Sequence, residues 1–131
     1  MITKQFPKFL LILGKKSVDL FNYFKVDELH GLSKEDAEKY PETKNDAYIM
    51  GMCNYIPKKS GEYKSGDALY LFINMNRLND TYKDYTAIMH ECFHLSLSLN
   101  NWNVNKEERI VSDAEMYANE IIGFILKEKM K

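Results

Sequence analysis

Apolar and polar residues divide this chain into segments of different period. From Phe9 to Val26 the apolar positions, among them Leu10, Leu13, Val18, Phe21 and Phe24, fit helical spacing loosely, and Gly14 weakens the first turns. The run Phe9-Leu10-Leu11-Ile12-Leu13 is accordingly read as part of a buried helix. Ser33, with Asp36 three residues on, predicts an N-cap for a short helix that ends before Pro41. Ala47 to Ile56 reads as a strand closed by Pro57, Lys58 to Asp67 as a polar turn with two glycines, and Ala68 to Met75 as a second strand. In the latter, Leu69, Leu71, Ile73 and Met75 share one face while Tyr70, Phe72 and Asn74 share the other. The two strands are expected to form a hairpin.

After a polar break at Asn79-Asp80, Thr81 to Leu99 carries a long helical pattern. An Asn-rich connection follows, with Trp102 inside it. Asn105 and Glu108 have the spacing of a capping box for a last helix running to about Lys129. Its apolar stripe is Ile110, Ala114, Tyr117, Ala118, Ile121, Ile122 and Ile125, and lysines at 127, 129 and 131 suit the negative end of its dipole. The predicted order is helix, short helix, hairpin, long helix, long helix. That order gives an α+β class with helices packed on a small, mainly antiparallel sheet.

At 131 residues, with no repeat, low-complexity tract or Pro/Gly linker, one domain over residues 1–131 is expected. Lys plus Arg is 18 and Asp plus Glu is 19, so the net charge of -1 argues against direct nucleic-acid binding through bulk positive charge. No stretch approaches the roughly 20 apolar residues that cross a bilayer. The Phe9–Leu13 run is too short for a signal h-region and is followed by Lys15 and Lys16. Cys53 and Cys92 make no disulfide framework, and Cys92 falls inside an apolar helical pattern as a small hydrophobe. A reducing, cytoplasmic setting is the simplest expectation.

Within the third helix stands His90-Glu91-Cys92-Phe93-His94, an HExxH motif. Residues four apart lie one turn apart on the same helical face. Two imidazoles so placed can converge on one tetrahedral Zn²⁺ at about 2.0–2.1 Å each. The intervening Glu91 is rotated by about 100° from His90, near enough to reach a water on the metal without being a ligand. Against this stands the plainer reading of both histidines and Glu91 as the solvated face of an amphipathic helix. His30, before Gly31, is read as a helix-end residue rather than a ligand.

A catalytic zinc needs a third protein ligand and an open fourth position. No third His follows, so a carboxylate of the last helix is expected: Glu107, Glu108, Asp113, Glu115 or Glu120. Glu107 and Glu108 suit the first turn for dipole and capping reasons alone. Asp113 and Glu115 follow His94 by 19 and 21 residues and flank the apolar stripe on opposite sides, and helical geometry does not choose between them.

The segment Tyr85-Thr86-Ala87-Ile88-Met89-His90-Glu91-Cys92-Phe93-His94 resembles the "FTLAHELGH" stretch of ImmA/IrrE-like zinc metallopeptidases. In that family the third ligand opens a pattern E-A-N-x-F-A-x-x-L-L. The run Asp113-Ala114-Glu115-Met116-Tyr117-Ala118-Asn119-Glu120-Ile121-Ile122 matches it in register, which implies Asp113 as the ligand and leaves Glu115 in reserve. The chain departs from the pattern by shortening Glu to Asp and by placing Glu115 where Asn is usual. The resemblance covers roughly Leu69 to Leu126 and implies a gluzincin-type domain with HExxH on its central helix. It also implies a protein or peptide substrate, a helix-turn-helix repressor among the options.

The expected activity is zinc-dependent peptide hydrolysis, with His90, His94 and Asp113 as ligands and Glu91 as general base and then acid. Tyr48, Tyr55, Tyr82 and Tyr85 are candidates for a second oxyanion donor. The Ala68–Met75 strand is either a sheet edge that pairs with an extended substrate or an interior strand. The Tyr70/Phe72 and Tyr82/Tyr85 pairs could line a cleft, with core positions the plainer reading, and Trp102 is expected to anchor its loop on the helix ends. Two rival classes are a zincin of weak or no activity that serves as a metal-bearing binding module, and a metal-free helical interaction protein.

Overall fold

The computed structural model describes residues 1–16, 18–29, 32–39, 49–57, 63–78 and 82–131. In chain order the elements are β1 (Ile2–Gln5), β2 (Phe9–Gly14), α1 (Val18–Phe24), β3 (Glu28–Leu29), β4 (Leu32–Ser33), α2 (Lys34–Lys39), β5 (Ile49–Pro57), β6 (Tyr63–Asn74), α3 (Tyr82–Leu99) and α4 (Glu107–Lys129). Short 3₁₀ turns at Met75–Arg77 and Val104–Lys106 complete the set. The class is α+β, and the chain divides into two compact units, residues 1–79 and 80–131.

In the first unit a mixed four-stranded sheet has the order β1-β2-β6-β5. β1 pairs antiparallel with β2, β5 antiparallel with β6, and β2 parallel with β6, from Phe9 opposite Leu69 to Gly14 opposite Asn74. The expected hairpin of β5 and β6 is present, with β6 starting earlier than its hydrophobic pattern indicates. The substrate-edge alternative for the Ala68–Met75 strand is corrected in favour of the interior one, because residues 70–73 are paired on both sides. Among the described strands the edges of the sheet are β1 and β5.

The Phe9–Leu13 run also needs correction: it is strand β2, not helix, and only Val18–Phe24 of the predicted helix forms α1. Every position of β2 is buried. An interior strand covered on both faces reads as an unbroken apolar run, which matches a helical period as well as any other. α1 lays Leu20, Phe21 and Phe24 against Leu10 and Ile12 of β2 and Tyr70 and Phe72 of β6, with the Phe24 and Tyr70 rings edge-to-face at 5.1 Å. Tyr70 and Phe72 are thus core residues rather than cleft walls. Ser33 caps α2 as its spacing predicts, its Oγ accepting from the Asp36 N–H at 3.1 Å.

The second unit is the helical hairpin α3–α4. Its turn is a Schellman motif: the Trp102 N–H donates to the Leu97 carbonyl at 2.8 Å and the Asn101 N–H to the Ser98 carbonyl at 3.1 Å. Asn101 accordingly takes a positive φ of 56°, and Trp102 after it also has a positive φ, 55°. This geometry turns Trp102 outward, 61% exposed, so it does not anchor the loop as expected. The Asn105–Glu108 capping box does not form either. Asn103 caps the preceding 3₁₀ turn by accepting from the Asn105 N–H at 3.1 Å, and α4 begins at Glu107 without a side-chain cap. The same cap chemistry two residues earlier has added one tight turn to the helix start. The buried stripe of α4 is Ile110, Ala114, Tyr117, Ala118, Ile121 and Ile125, and Ile122 is half-buried at its margin.

Candidate metal centre

α3 buries Ile88, Cys92 and Leu95 along one face, which turns the HExxH side chains to the other: His90 is exposed, and Glu91 and His94 are half-buried. The two imidazoles converge, with His90 Nε2 and His94 Nε2 3.1 Å apart and the rings edge-to-face at 4.7 Å. Two nitrogens bound to one tetrahedral zinc at about 2.0–2.1 Å stand roughly 3.3 Å apart, so the pair is already at a chelating separation. Neutral imidazoles at this distance share a hydrogen bond, one ring donating N–H and the other accepting.

The carboxylates are less decisive. Among the described residues no three His, Cys, Asp or Glu side chains gather in a group able to hold a metal ion. Asp113, the ligand implied by the family pattern, is engaged elsewhere: its Oδ2 accepts from Asn100 Nδ2 at 3.2 Å and lies 3.8 Å from Arg109 Nε. Glu115 instead lines the same concavity as His90, an open hollow of about 860 Å³ on the hairpin. The expectation that the two acids sit on opposite flanks of α4 therefore has a counterpart in their different surroundings. What the described residues bring together is a pair of imidazole nitrogens at a chelating separation, with no carboxylate gathered beside them.

The hollow beside His90 is walled by Tyr82, Tyr85, Met89, Phe93 and Ile122. Of the four tyrosines considered as oxyanion donors, Tyr82 and Tyr85 stand here; Tyr48 and the side chain of Tyr55 lie outside the described residues, as does His30. Cys92, between Glu91 and His94 in sequence, is fully buried, and its thiol is pushed up to about 12 by desolvation and then by the Glu91 charge. It serves as a small hydrophobe.

A polar network between the helices escaped the sequence reading. Ser96 Oγ donates to the Ile110 carbonyl at 2.7 Å, and Asn100 Nδ2 donates to the Ser96 carbonyl at 2.9 Å as well as to Asp113. Ser96 and Asn100 are both buried. Their i,i+4 spacing was the available signal. On the buried stripe of α4, burial and the charges of Asp113 and then Glu120 raise the Tyr117 phenol, against a lowering by Arg109.

No family model, curated protein or solved structure significantly matches the chain. No helix among the described residues is long and apolar enough to cross a membrane.

Proposed function

We propose that this chain is a zinc-dependent metallopeptidase with a zincin-like fold of the ImmA/IrrE type, acting on protein or peptide substrates in the cytoplasm. The observation that carries the reading is the 3.1 Å approach of the two HExxH imidazole nitrogens on the outward face of α3. His90 and His94 would hold zinc as neutral ligands, with one α4 carboxylate as the third: Asp113 by the family pattern, Glu115 by its place in the His90 hollow. Bound zinc supplies Lewis acidity that polarises a scissile carbonyl and brings water to a pKa of about 7. Glu91, half-buried and one residue on from His90, takes the proton of the attacking water and passes it to the departing amine. Tyr82 and Tyr85, which line the same hollow as His90, are the phenols that would donate to the developing oxyanion.

The test pairs zinc stoichiometry with cleavage of a broad peptide library. Wild type should bind one zinc and cleave, and Glu91→Gln should keep the zinc and lose turnover. Full activity in that variant rules out the role given to Glu91. The engagement of Asp113 by Asn100 and Arg109 favours a second reading, a zincin of weak or no activity that acts as a metal-bearing binding module. Stoichiometric zinc with silence across the library selects it. A repressor of the helix-turn-helix kind is a substrate candidate under the first reading alone.

A further inference from the structure

We infer that the hairpin face beside His90 is a docking groove for a peptide segment that sets a bulky apolar side chain next to basic residues. Three depressions run together there. The first, walled by Tyr82, Tyr85, Met89, Phe93 and Ile122, shares Glu115 with a second that also holds Glu107 and Glu108. A third, smaller one shares Phe93 with the first and Glu107 with the second.

The chemistry changes along this surface. Its first part is aromatic and aliphatic, and two of its walls are left open to solvent, Tyr82 at 77% and Phe93 at 41% exposure. Large apolar side chains held open around a hollow mark a binding surface. Its second part is lined by three carboxylates, and among the described residues no Lys or Arg lines any of the three depressions. Acidic residues in a first turn also suit the helix dipole, which accounts for Glu107 and Glu108, but the dipole effect has decayed two turns in, where Glu115 stands. The mid-helix Glu115 therefore joins the apolar hollow to the acidic one without a dipole reason to be there.

Charge complementarity selects the occupant. A neutral apolar segment would fill only the first hollow, and an acidic segment, a nucleic acid or an anionic lipid surface would set like charge against the carboxylates. A basic flank beside an apolar residue satisfies both halves. The inference names the substrate class for the site proposed above and rests on that reading for its catalytic meaning, while the binding itself requires no turnover.

The experiment uses the full chain, metal-free, and three labelled peptides followed by fluorescence anisotropy: a central Phe between lysines, the same Phe between glutamates, and a central Ala between lysines. The Phe–Lys peptide should bind at least about tenfold tighter than either counterpart, and its advantage over the Phe–Glu peptide should shrink at high salt. The paired change Glu107→Gln with Glu108→Gln should reduce the preference for lysine, and Tyr82→Ser, at a position too exposed to threaten folding, should reduce the preference for Phe. Peptides that bind within about twofold of one another, or an order untouched by these variants, overturn the inference. A zinc-loaded arm separates the two readings. Cleavage without sequence preference sinks the groove and keeps the hydrolase, whereas the expected binding order without cleavage keeps the groove and sinks the hydrolase.

Discussion

Asn100 Nδ2 donates to the Asp113 carboxylate at 3.2 Å, so the acid that the family pattern assigns to zinc is spent on joining α3 to α4. Arg109, one turn before Asp113 on α4, adds a longer approach at 3.8 Å. If this is the role of Asp113, Asp113→Asn should leave zinc affinity nearly unchanged, whereas Glu115→Gln should lower it by at least the roughly 10–100-fold typical of a residue that supports a metal site. Competition with a chromophoric chelator measures both. The reverse order would give the ligand role to Asp113 and require its carboxylate to leave Asn100.

Ser96 and Asn100 are buried polar side chains whose bonds are made to one another's helix and across to the next. Ser96→Ala removes the 2.7 Å bond to the Ile110 carbonyl and should cost about 1 kcal/mol. Asn100→Ala removes donors to both Ser96 and Asp113 and should cost about 1–3 kcal/mol in urea unfolding. The double variant should lose less than the sum, because both substitutions break the same network.

Gly14 ends β2 against the Phe72 ring. A Cβ there would stand 2.6 Å and 2.8 Å from two ring carbons, and Phe72 is fully buried in the core over α1. Gly14→Ala should therefore destabilise by about 1–3 kcal/mol as the ring is forced from its rotamer. A midpoint shift in denaturant at unchanged slope checks this, and an unaltered midpoint would show that the ring moves freely.

Cys92 has a folded-state pKa of about 12, above its ordinary value of 9.0, with desolvation the leading cause. The group is neutral when protonated, so the unfolded chain loses its proton first as pH rises. Stability is fully present below pH 9 and falls between pH 9 and 12, by at most about 1.4 kcal/mol per pH unit. In metal-free protein at pH 8, alkylation of Cys92 should be slow in the native state and fast in urea. Equal rates in both would contradict the burial.

The sequence announced elements whose pattern is local and left silent those that depend on partners. α3 and α4 follow from long apolar stripes, the β5–β6 pair from alternation, and α2 from the Ser33 cap. β1 has no hydrophobic signature because all four of its residues are exposed. β2 misled because its unbroken apolar run carries no period of its own. At the candidate site, His90, Glu91 and His94 were legible because one helical turn relates them. The Asp113–Asn100 bond was not, since it joins residues 13 apart in sequence and depends on how the two helices come together.

The parallel pairing of β2 with β6 joins Phe9 to Leu69, sixty positions further along the chain. Closing so wide a loop costs entropy before any pairing rewards it, whereas the two terminal helices meet through a tight local turn. On a ribosome β2, with β1 on one side alone, must keep its other edge open until β6 emerges, which makes completion of the sheet the slow event and the aggregation-prone interval in the birth of this protein.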